Sequence, residues 1–268
     1  MLFLFIHNNI IPSNLIGVIE DTKNGLWFVD KKIDFSFPLA SVASSELKDA
    51  IEGYFVAKAI YRNIEHIFIN NFQQTVAGKM VLILGYGKIG SQLAQLVKHD
   101  AQVSVYDKNY VQLLKAKFRG LHVIRNLDNI SNFDVVIGVT GNVVLNELEL
   151  RNLNDVVFLI NGSTRQREFD FQALNEMAQR VEKTCTHTVY HLSGNKKIIL
   201  MTDGYPINFF QTESTPEYVL DLVFSEIFVL AQILIGSKLK NGFYAIEKHF
   251  PHKEQEIAQL WLNYWMKA

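Results

Sequence analysis

This sequence contains little cysteine and has almost no net charge. Its 268 residues include one cysteine, Cys185, and 26 basic against 27 acidic side chains, for a formal net charge of −1. A single cysteine cannot close a disulfide within the chain. The sequence also has no cluster of Lys and Arg of the kind that a nucleic-acid groove needs for its phosphate contacts. We therefore expect no intrachain disulfide and no nucleic-acid partner.

Long uninterrupted apolar runs are lacking as well. Residues 1–6 are apolar but too few to cross a bilayer, and residues 219–235 carry Asp221 and Glu226, which favours a buried or interface helix. No secretory signal is recognisable, so the sequence predicts a cytoplasmic protein without a membrane partner. The spacing of His, Cys and acidic residues predicts no metal site. An apolar share of 49% is enough for a sizeable core.

Short β-branched runs alternate with helical periodicity between residues 77 and 160. Strands that are apolar on both faces are predicted at 81–84, 103–106, 134–140 and 155–160. Such strands, separated by helices, are typical of a parallel sheet covered on both sides. The predicted fold class is therefore α/β, with a Rossmann-type, doubly wound parallel sheet.

A glycine-rich turn follows the first predicted strand. Residues 85–90 read Gly-Tyr-Gly-Lys-Ile-Gly, and an acid, Asp107, follows the second strand about 20 residues further on. In this fingerprint the glycines permit a tight turn close to a pyrophosphate at a helix N-terminus, and the acid binds the adenosine ribose. The predicted cofactor is NAD, because a carboxylate would repel the 2′-phosphate of NADP, although Lys108 weakens that preference. An unrelated glycine turn is the alternative. The residues predicted to bind the cofactor here are Gly85, Gly87, Lys88, Ile89, Gly90 and Asp107.

Two later loops follow predicted strands. The carboxyl ends of parallel strands face the ligand crevice in such folds, so both loops are candidates for contacts with the nicotinamide half. The alternative is that they are ordinary turns. The candidate residues are Thr140, Gly141 and Asn142 in one loop, and Asn161, Gly162 and Ser163 in the other.

From about residue 17 to residue 266 the chain resembles the carboxy-terminal two thirds of the S-adenosylhomocysteine hydrolase family. The resemblance is carried by residues 77–79 leading into the glycine turn, by Val-Thr-Gly-Asn at 139–142, and by residues 198–208, which end in Asn208. It implies an NAD-binding fold, a cofactor contact at Asn208 and a tendency to oligomerise. The family uses bound NAD to oxidise a ribose 3′-hydroxyl, which permits loss of a thiol and addition of water before the NAD is regenerated.

The resemblance also assigns roles near the start of the chain. Asp21 aligns with a catalytic glutamate, and Thr22 and Asn24 align with threonines that touch the nicotinamide riboside. Lys48 aligns with a lysine that assists proton transfer at the 3′-hydroxyl, and Glu52 replaces a family aspartate. The predicted catalytic residues are therefore Lys48, Asp21 and Glu52. The alternative for Lys48 and Glu52 is an i,i+4 ion pair on a helix surface.

The departures from the family pattern are large. One family histidine is replaced by Ser163 or Thr164, another by Thr215, and most of the amino-terminal substrate domain has no counterpart in this sequence. These departures argue against full hydrolysis of S-adenosylhomocysteine. We expect residues 59–250 to form the NAD-binding domain, and residues 1–58, with a helix at 251–268, to form a remnant of the substrate side.

Three hypotheses for function follow. The first is an NAD-dependent enzyme that oxidises a secondary alcohol such as a ribosyl hydroxyl. The second is an ordinary NAD-dependent dehydrogenase of another small alcohol or hydroxy acid, and the third is a catalytically inert NAD-binding subunit or sensor. The expected partners are a small-molecule substrate and further copies of the chain, which would associate through apolar helices.

Overall fold

The chain divides into two compact units. The computed structural model describes residues 12–23, 25–26 and 35–266. The smaller unit comprises Met1–Glu52 with Pro216–Ala268, and the larger comprises Gly53–Thr215. The expected 59–250 domain differs from this division chiefly at its end, because residues 216–250 belong to the smaller unit. The long helix in that stretch packs against strands and helices of the smaller unit.

The strands fall into two sheets, one in each unit. The strands of the described residues are β1 (Val18–Glu20), β2 (Pro38–Ser41), β3 (Met80–Leu84), β4 (Gln102–Tyr106), β5 (His122–Val123), β6 (Val135–Gly138), β7 (Val156–Asn161), β8 (Arg180–Lys183), β9 (His187–His191), β10 (Lys197–Met201) and β11 (Gly242–Ala245). Strands β1, β2 and β11 form the small sheet, and the others form the large one.

The helices lie around these sheets. They are α1 (Gly53–Ile67), α2 (Lys88–Val97), α3 (Tyr110–Phe118), α4 (Glu147–Arg151), α5 (Phe171–Met177), α6 (Glu217–Gly236), α7 (Ile246–His249) and α8 (Pro251–Trp265). A π-helical turn, Lys48–Glu52, precedes α1, and another, Phe68–Phe72, follows it. A short 3₁₀ turn, Ile207–Phe209, bears on the site described below.

The large sheet has the order β5-β4-β3-β6-β7-β10-β9-β8. The first six strands in this order are parallel, whereas β9 pairs antiparallel with both β10 and β8. Numbered along the chain, the six parallel strands have the spatial order 3-2-1-4-5-6 of a Rossmann sheet. The predicted fold class is therefore confirmed. The strand order reverses between β3 and β6, where such sheets bind their ligands.

Both faces of the large sheet are buried, as the apolar strand sequences predict. In β3, Val81 and Ile83 lie in one core cluster, which also contains residues of α1 and α2. Leu82 and Leu84 lie in a second cluster, with residues of α4 and α5. Successive strand side chains point to opposite faces, so a strand covered by helices on both sides must be apolar throughout.

The smaller unit is built on a parallel three-stranded sheet in the order β1-β2-β11. Its core contains Ala40 of β2 and Val42 just after it, Leu230 and Leu234 of α6, and Ile246 of α7. Among the described helices, α6 is long and apolar enough to cross a membrane by length and composition. The core helix of a soluble protein meets the same criterion, so this is weak evidence for a membrane span.

Candidate functional site

The glycine turn in the larger unit connects β3 to α2. Gly85 has φ +99°, a conformation that favours glycine. A Cβ at Gly90 would lie 2.0 Å from the carbonyl oxygen of Gly85, so the helix can pack this closely only with glycine there. Gly87 precedes the first residue of α2, and a Cβ built on it meets nothing within 4 Å. No side chain caps α2, so its first N–H groups border this open space.

Asp107 is held at the rim of the glycine turn. Leu84 and Tyr106 are paired residues at the ends of β3 and β4, which brings the residues after both strands together. Asp107 Oδ2 accepts a hydrogen bond from the Tyr86 amide at 2.6 Å, and Oδ1 accepts one from the Asn109 amide at 2.7 Å. The structure therefore brings the predicted acid and the predicted glycine turn into contact.

Lys88 and Ile89 are the first two residues of α2. A Cβ at Gly53 would lie 2.7 Å from Cγ of Lys88, so the lysine side chain lies along the start of α1. Ile89 is half-buried against one core cluster of the large sheet. Their positions at the helix start agree with the fingerprint, in which backbone groups contact the phosphates.

The two later loops meet at a residue that sequence reasoning missed, Glu168. Its side chain is 0% exposed. One oxygen, Oε1, accepts hydrogen bonds from the amides of Thr140 and Gly141 and from the Ser163 hydroxyl, and Oε2 lies 2.8 Å from the Thr140 hydroxyl. Burial raises the pKa of Glu168, and these hydrogen bonds oppose the rise. A Cβ at Gly138, the last residue of β6, would lie 2.6 Å from the Glu168 side chain.

These loops are thus brought together through Glu168, while the side chain of Asn161 binds backbone groups of its own loop and of Gly204. Asn161 donates to the carbonyl oxygens of Thr164 and Gly204, and its Oδ1 accepts from the Ser163 amide. Gly162 packs against Ile60 of α1. Asn142 is exposed. The contacts of this set with a nicotinamide stay predictions.

Asn208 has a buried oxygen without a partner. The residue is 5% exposed and lies in the 3₁₀ turn Ile207–Phe209. Its Nδ2 donates to the Ser214 hydroxyl at 2.8 Å, whereas Oδ1 has no hydrogen-bond partner among the described residues. Leaving a buried acceptor unpaired costs about 1–3 kcal/mol, so such an atom is typical of a ligand contact.

In the smaller unit the structure brings the three predicted catalytic residues together. Lys48 is 8% exposed and begins the π-helical turn Lys48–Glu52. Its Nζ lies 3.6 Å from Oε2 of Glu52 and 3.9 Å from Oδ2 of Asp21. The i,i+4 pair therefore exists, but it is largely buried rather than on a helix surface. π-helical turns are rare and are frequent at functional sites.

The other residues assigned by resemblance in this unit are described less completely. Thr22 donates from its amide and its hydroxyl to Oε1 of Glu20, at 2.8 and 2.6 Å. Asn24 lies outside the described residues. No group of three or more metal-binding side chains occurs in the part of the chain that the structure describes.

These features define a Rossmann-type dinucleotide-binding domain: the sheet order, the glycine turn that opens a helix, and the acid at the next strand. The family model described as "S-adenosyl-L-homocysteine hydrolase, NAD binding domain" matches residues 63–214. The chain belongs to this family, which confirms the resemblance seen in the sequence.

The chain is also similar to individual proteins. The adenosylhomocysteinase of Gloeothece citriformis (strain PCC 7424) is 27% identical over 260 residues, which cover 94% of this chain and 59% of the relative. The chain thus spans about three fifths of the length of that relative. The A chain of dipicolinate synthase from Bacillus subtilis is 14% identical with a TM-score of 0.50, over 75% of this chain and 67% of that one. That likeness shows the fold alone.

Proposed function

We propose that the chain binds NAD at the glycine turn and uses it to oxidise a secondary alcohol, such as a ribosyl hydroxyl. The observation that carries this proposal is Asp107, which the Tyr86 amide holds beside the turn, where an adenosine ribose meets the acid in this fold. The residues present fit NAD, because Gly87 leaves open space beside the uncapped start of α2. That space suits a pyrophosphate, which backbone N–H groups and the helix dipole favour.

Asn208 fits the nicotinamide half of the cofactor. Its bond to Ser214 orients the amide so that Oδ1 is the atom left to accept. A nicotinamide carboxamide carries an N–H₂ group, which would supply the missing donor. This contact is also the one that the family resemblance implies for Asn208.

The proton of the alcohol would be handled in the smaller unit. When bound, NAD supplies a hydride acceptor for the alcohol carbon. Lys48 Nζ would exchange the hydroxyl proton, with the Asp21 and Glu52 carboxylates holding the amine in place. Asp21 is about half exposed, so its carboxylate can pass the proton on to water.

A specific observation favours the second hypothesis, an ordinary dehydrogenase. Ser163 stands near the position of a family histidine, and its hydroxyl donates to Glu168. It therefore cannot replace an imidazole as a proton carrier. Such an enzyme would release its reduced cofactor after each turnover, whereas the first hypothesis predicts that bound NAD is cycled.

The test uses the purified full chain. Adenosine, S-adenosylhomocysteine and simple hydroxy acids are added in turn with NAD, and the absorbance of reduced nicotinamide is followed. We expect reduction with an adenosine compound, lost in Lys48→Met and kept in Lys58→Met, since Lys58 is exposed. Steady NADH release with a hydroxy acid would support the ordinary dehydrogenase. NAD binding without any reduction would contradict both enzymatic hypotheses and favour an inert NAD-binding subunit.

A further inference from the structure

Two buried carboxyl groups lie together in the smaller unit. Glu226 of α6 is 0% exposed and Glu254 of α8 is 7% exposed. Glu226 and Glu254 bind two adjacent residues of one helix start, Ser45 and Glu46, which makes the two carboxyl groups neighbours. Neither residue belongs to the proposed proton-handling set, and buried carboxylates are costly unless they are paired. Their burial therefore requires a reason.

The pair holds the start of the helical segment that carries Lys48. Oε1 of Glu254 accepts the amide N–H groups of Glu46 and Leu47, at 2.8 and 3.5 Å. The Ser45 hydroxyl accepts the amide N–H of Lys48 at 3.1 Å. The first N–H groups of a helix have no partner within the helix, and here side chains supply partners for three of them.

Ser45 links this helix start to the second carboxyl. While its oxygen accepts from Lys48, its hydroxyl donates to Oε2 of Glu226 at 2.9 Å. The contacts therefore run from the Lys48 amide through Ser45 to Glu226, and from the Glu46 and Leu47 amides to Glu254. Both carboxyls act on the backbone of the turn from which the Lys48 side chain extends.

A hydrogen bond between the two carboxyl groups requires that the pair carries a proton. Glu226 Oε1 is buried without a partner among the described donors. Two ionised carboxylates can only accept, whereas a protonated Glu226 can donate to Glu254. Burial, together with the neighbouring Glu254, raises the pKa of Glu226 to about 8, although the hydrogen bond from Ser45 and the charge of Lys48 lower it. Burial also raises the pKa of Glu254, to which the charges of Glu46 and Glu247 add.

We propose that Glu226 and Glu254 share one proton and together act as positioning residues for Lys48. Loss of the proton leaves two negative charges in a buried site. The helix start, which both side chains hold, then opens. The consequence for catalysis rests on the proposed role of Lys48, but the shared proton and its effect on the helix start do not.

The sign of the pH dependence follows from the proton. Glu226 binds its proton more strongly when the helix start is closed than when it is open. The stabilisation is therefore complete below the ordinary pKa of 4.5 and is lost as the pH rises to about 8. The ratio of open to closed states should rise by up to about tenfold per pH unit over this range and level off above it.

The test is amide hydrogen exchange at residues 46–48, expressed as protection factors so that the intrinsic effect of pH is removed. Wild-type protection should fall by up to about tenfold per pH unit between pH 5 and 8, following the opening equilibrium. Glu226→Gln replaces the protonated carboxyl with an amide that can still accept from Ser45 and donate to Glu254, so its protection should vary much less with pH than that of wild type. Glu217→Gln makes the same change at an exposed position of α6 and should behave like wild type.

If Glu226→Gln does not fold, Glu254→Gln replaces it. Its amide can donate to an ionised Glu226, so the loss of protection should move to lower pH. Wild-type protection that does not depend on pH, or a dependence unchanged in the folded variant, would overturn the proposal. Reduction of NAD by the adenosine compound is followed in parallel, and we expect Glu226→Gln to keep activity at alkaline pH where wild type loses it. Absence of turnover in every variant would count against the proposed function, while the exchange data would still decide the shared proton.

Discussion

Glu168 joins the ends of β6 and β7 through one carboxylate. It accepts from the amides of Thr140 and Gly141 and from the Ser163 hydroxyl, so the loops predicted to face the nicotinamide are shaped by a residue of the chain itself. Asp107 could be predicted from its spacing after the glycine turn, because the fingerprint depends on local sequence. Glu168 could not, since its role arises only when two separate strand ends meet.

Asp107 supports a prediction on cofactor affinity. Asp107→Asn removes the charge that would bind the ribose. It also replaces one of the two oxygens that accept from backbone amides with an NH₂ group, which can only donate. We expect NAD to bind about 2 kcal/mol, or roughly 30-fold, more weakly. Fluorescence titration with NADH measures this, and Asp128→Asn, at an exposed position, is the control. Equal affinity in the two variants would contradict the role given to Asp107.

At the scale of elements, β3, β4, β6 and β7 could be predicted because both faces of each strand are buried and the sequence is apolar throughout. The π-helical turn Lys48–Glu52 could not be predicted, because a single extra residue in one turn hardly alters the apolar periodicity. Glu254, which is far away in the sequence, accepts the amide N–H of Glu46 just before this turn.

The turn between β3 and α2 gives a paired prediction. Gly90→Ala places a Cβ 2.0 Å from the Gly85 carbonyl oxygen, and we expect the free energy of unfolding to fall by about 1–3 kcal/mol. Gly87→Ala places a Cβ in open space and should leave stability within about 0.5 kcal/mol of wild type. Urea denaturation compares the two. Equal losses of stability in the two variants would contradict the close packing of α2 against the turn at Gly90.

At the scale of the whole molecule, the division into units was only partly predictable. The sequence indicates where the Rossmann strands lie, but α6 follows them directly and its apolar sequence would suit either unit. Its assignment depends on packing against β1, β2 and α8 of the smaller unit. Glu226 was noticed only as an acid that interrupts an apolar run, because its partners Ser45 and Glu254 are distant in the sequence.

We also propose that copies of the chain associate through the face formed by α6 and α8. Phe224, Phe228, Leu260 and Trp265 are exposed there, beside a groove of about 940 Å³. Large exposed apolar patches mark interaction surfaces. Lys253 and Glu256 at the groove pair with each other, so little net charge opposes a second copy.

Light scattering after size exclusion tests this association. Wild type is expected to be an oligomer, and Phe228→Ser should shift it toward the monomer. Phe118→Ser, on an exposed phenylalanine of α3 in the larger unit, should leave the mass unchanged. A monomeric wild type would refute the proposal.

The most direct test of the account is calorimetric titration of the purified chain with NAD. Wild type should bind one NAD per chain, and Gly87→Ala, with unchanged stability, should bind it far more weakly because its methyl group fills the space beside the start of α2. If wild type binds neither NAD nor NADP, or if Gly87→Ala binds NAD as tightly as wild type, the cofactor site assigned here is wrong.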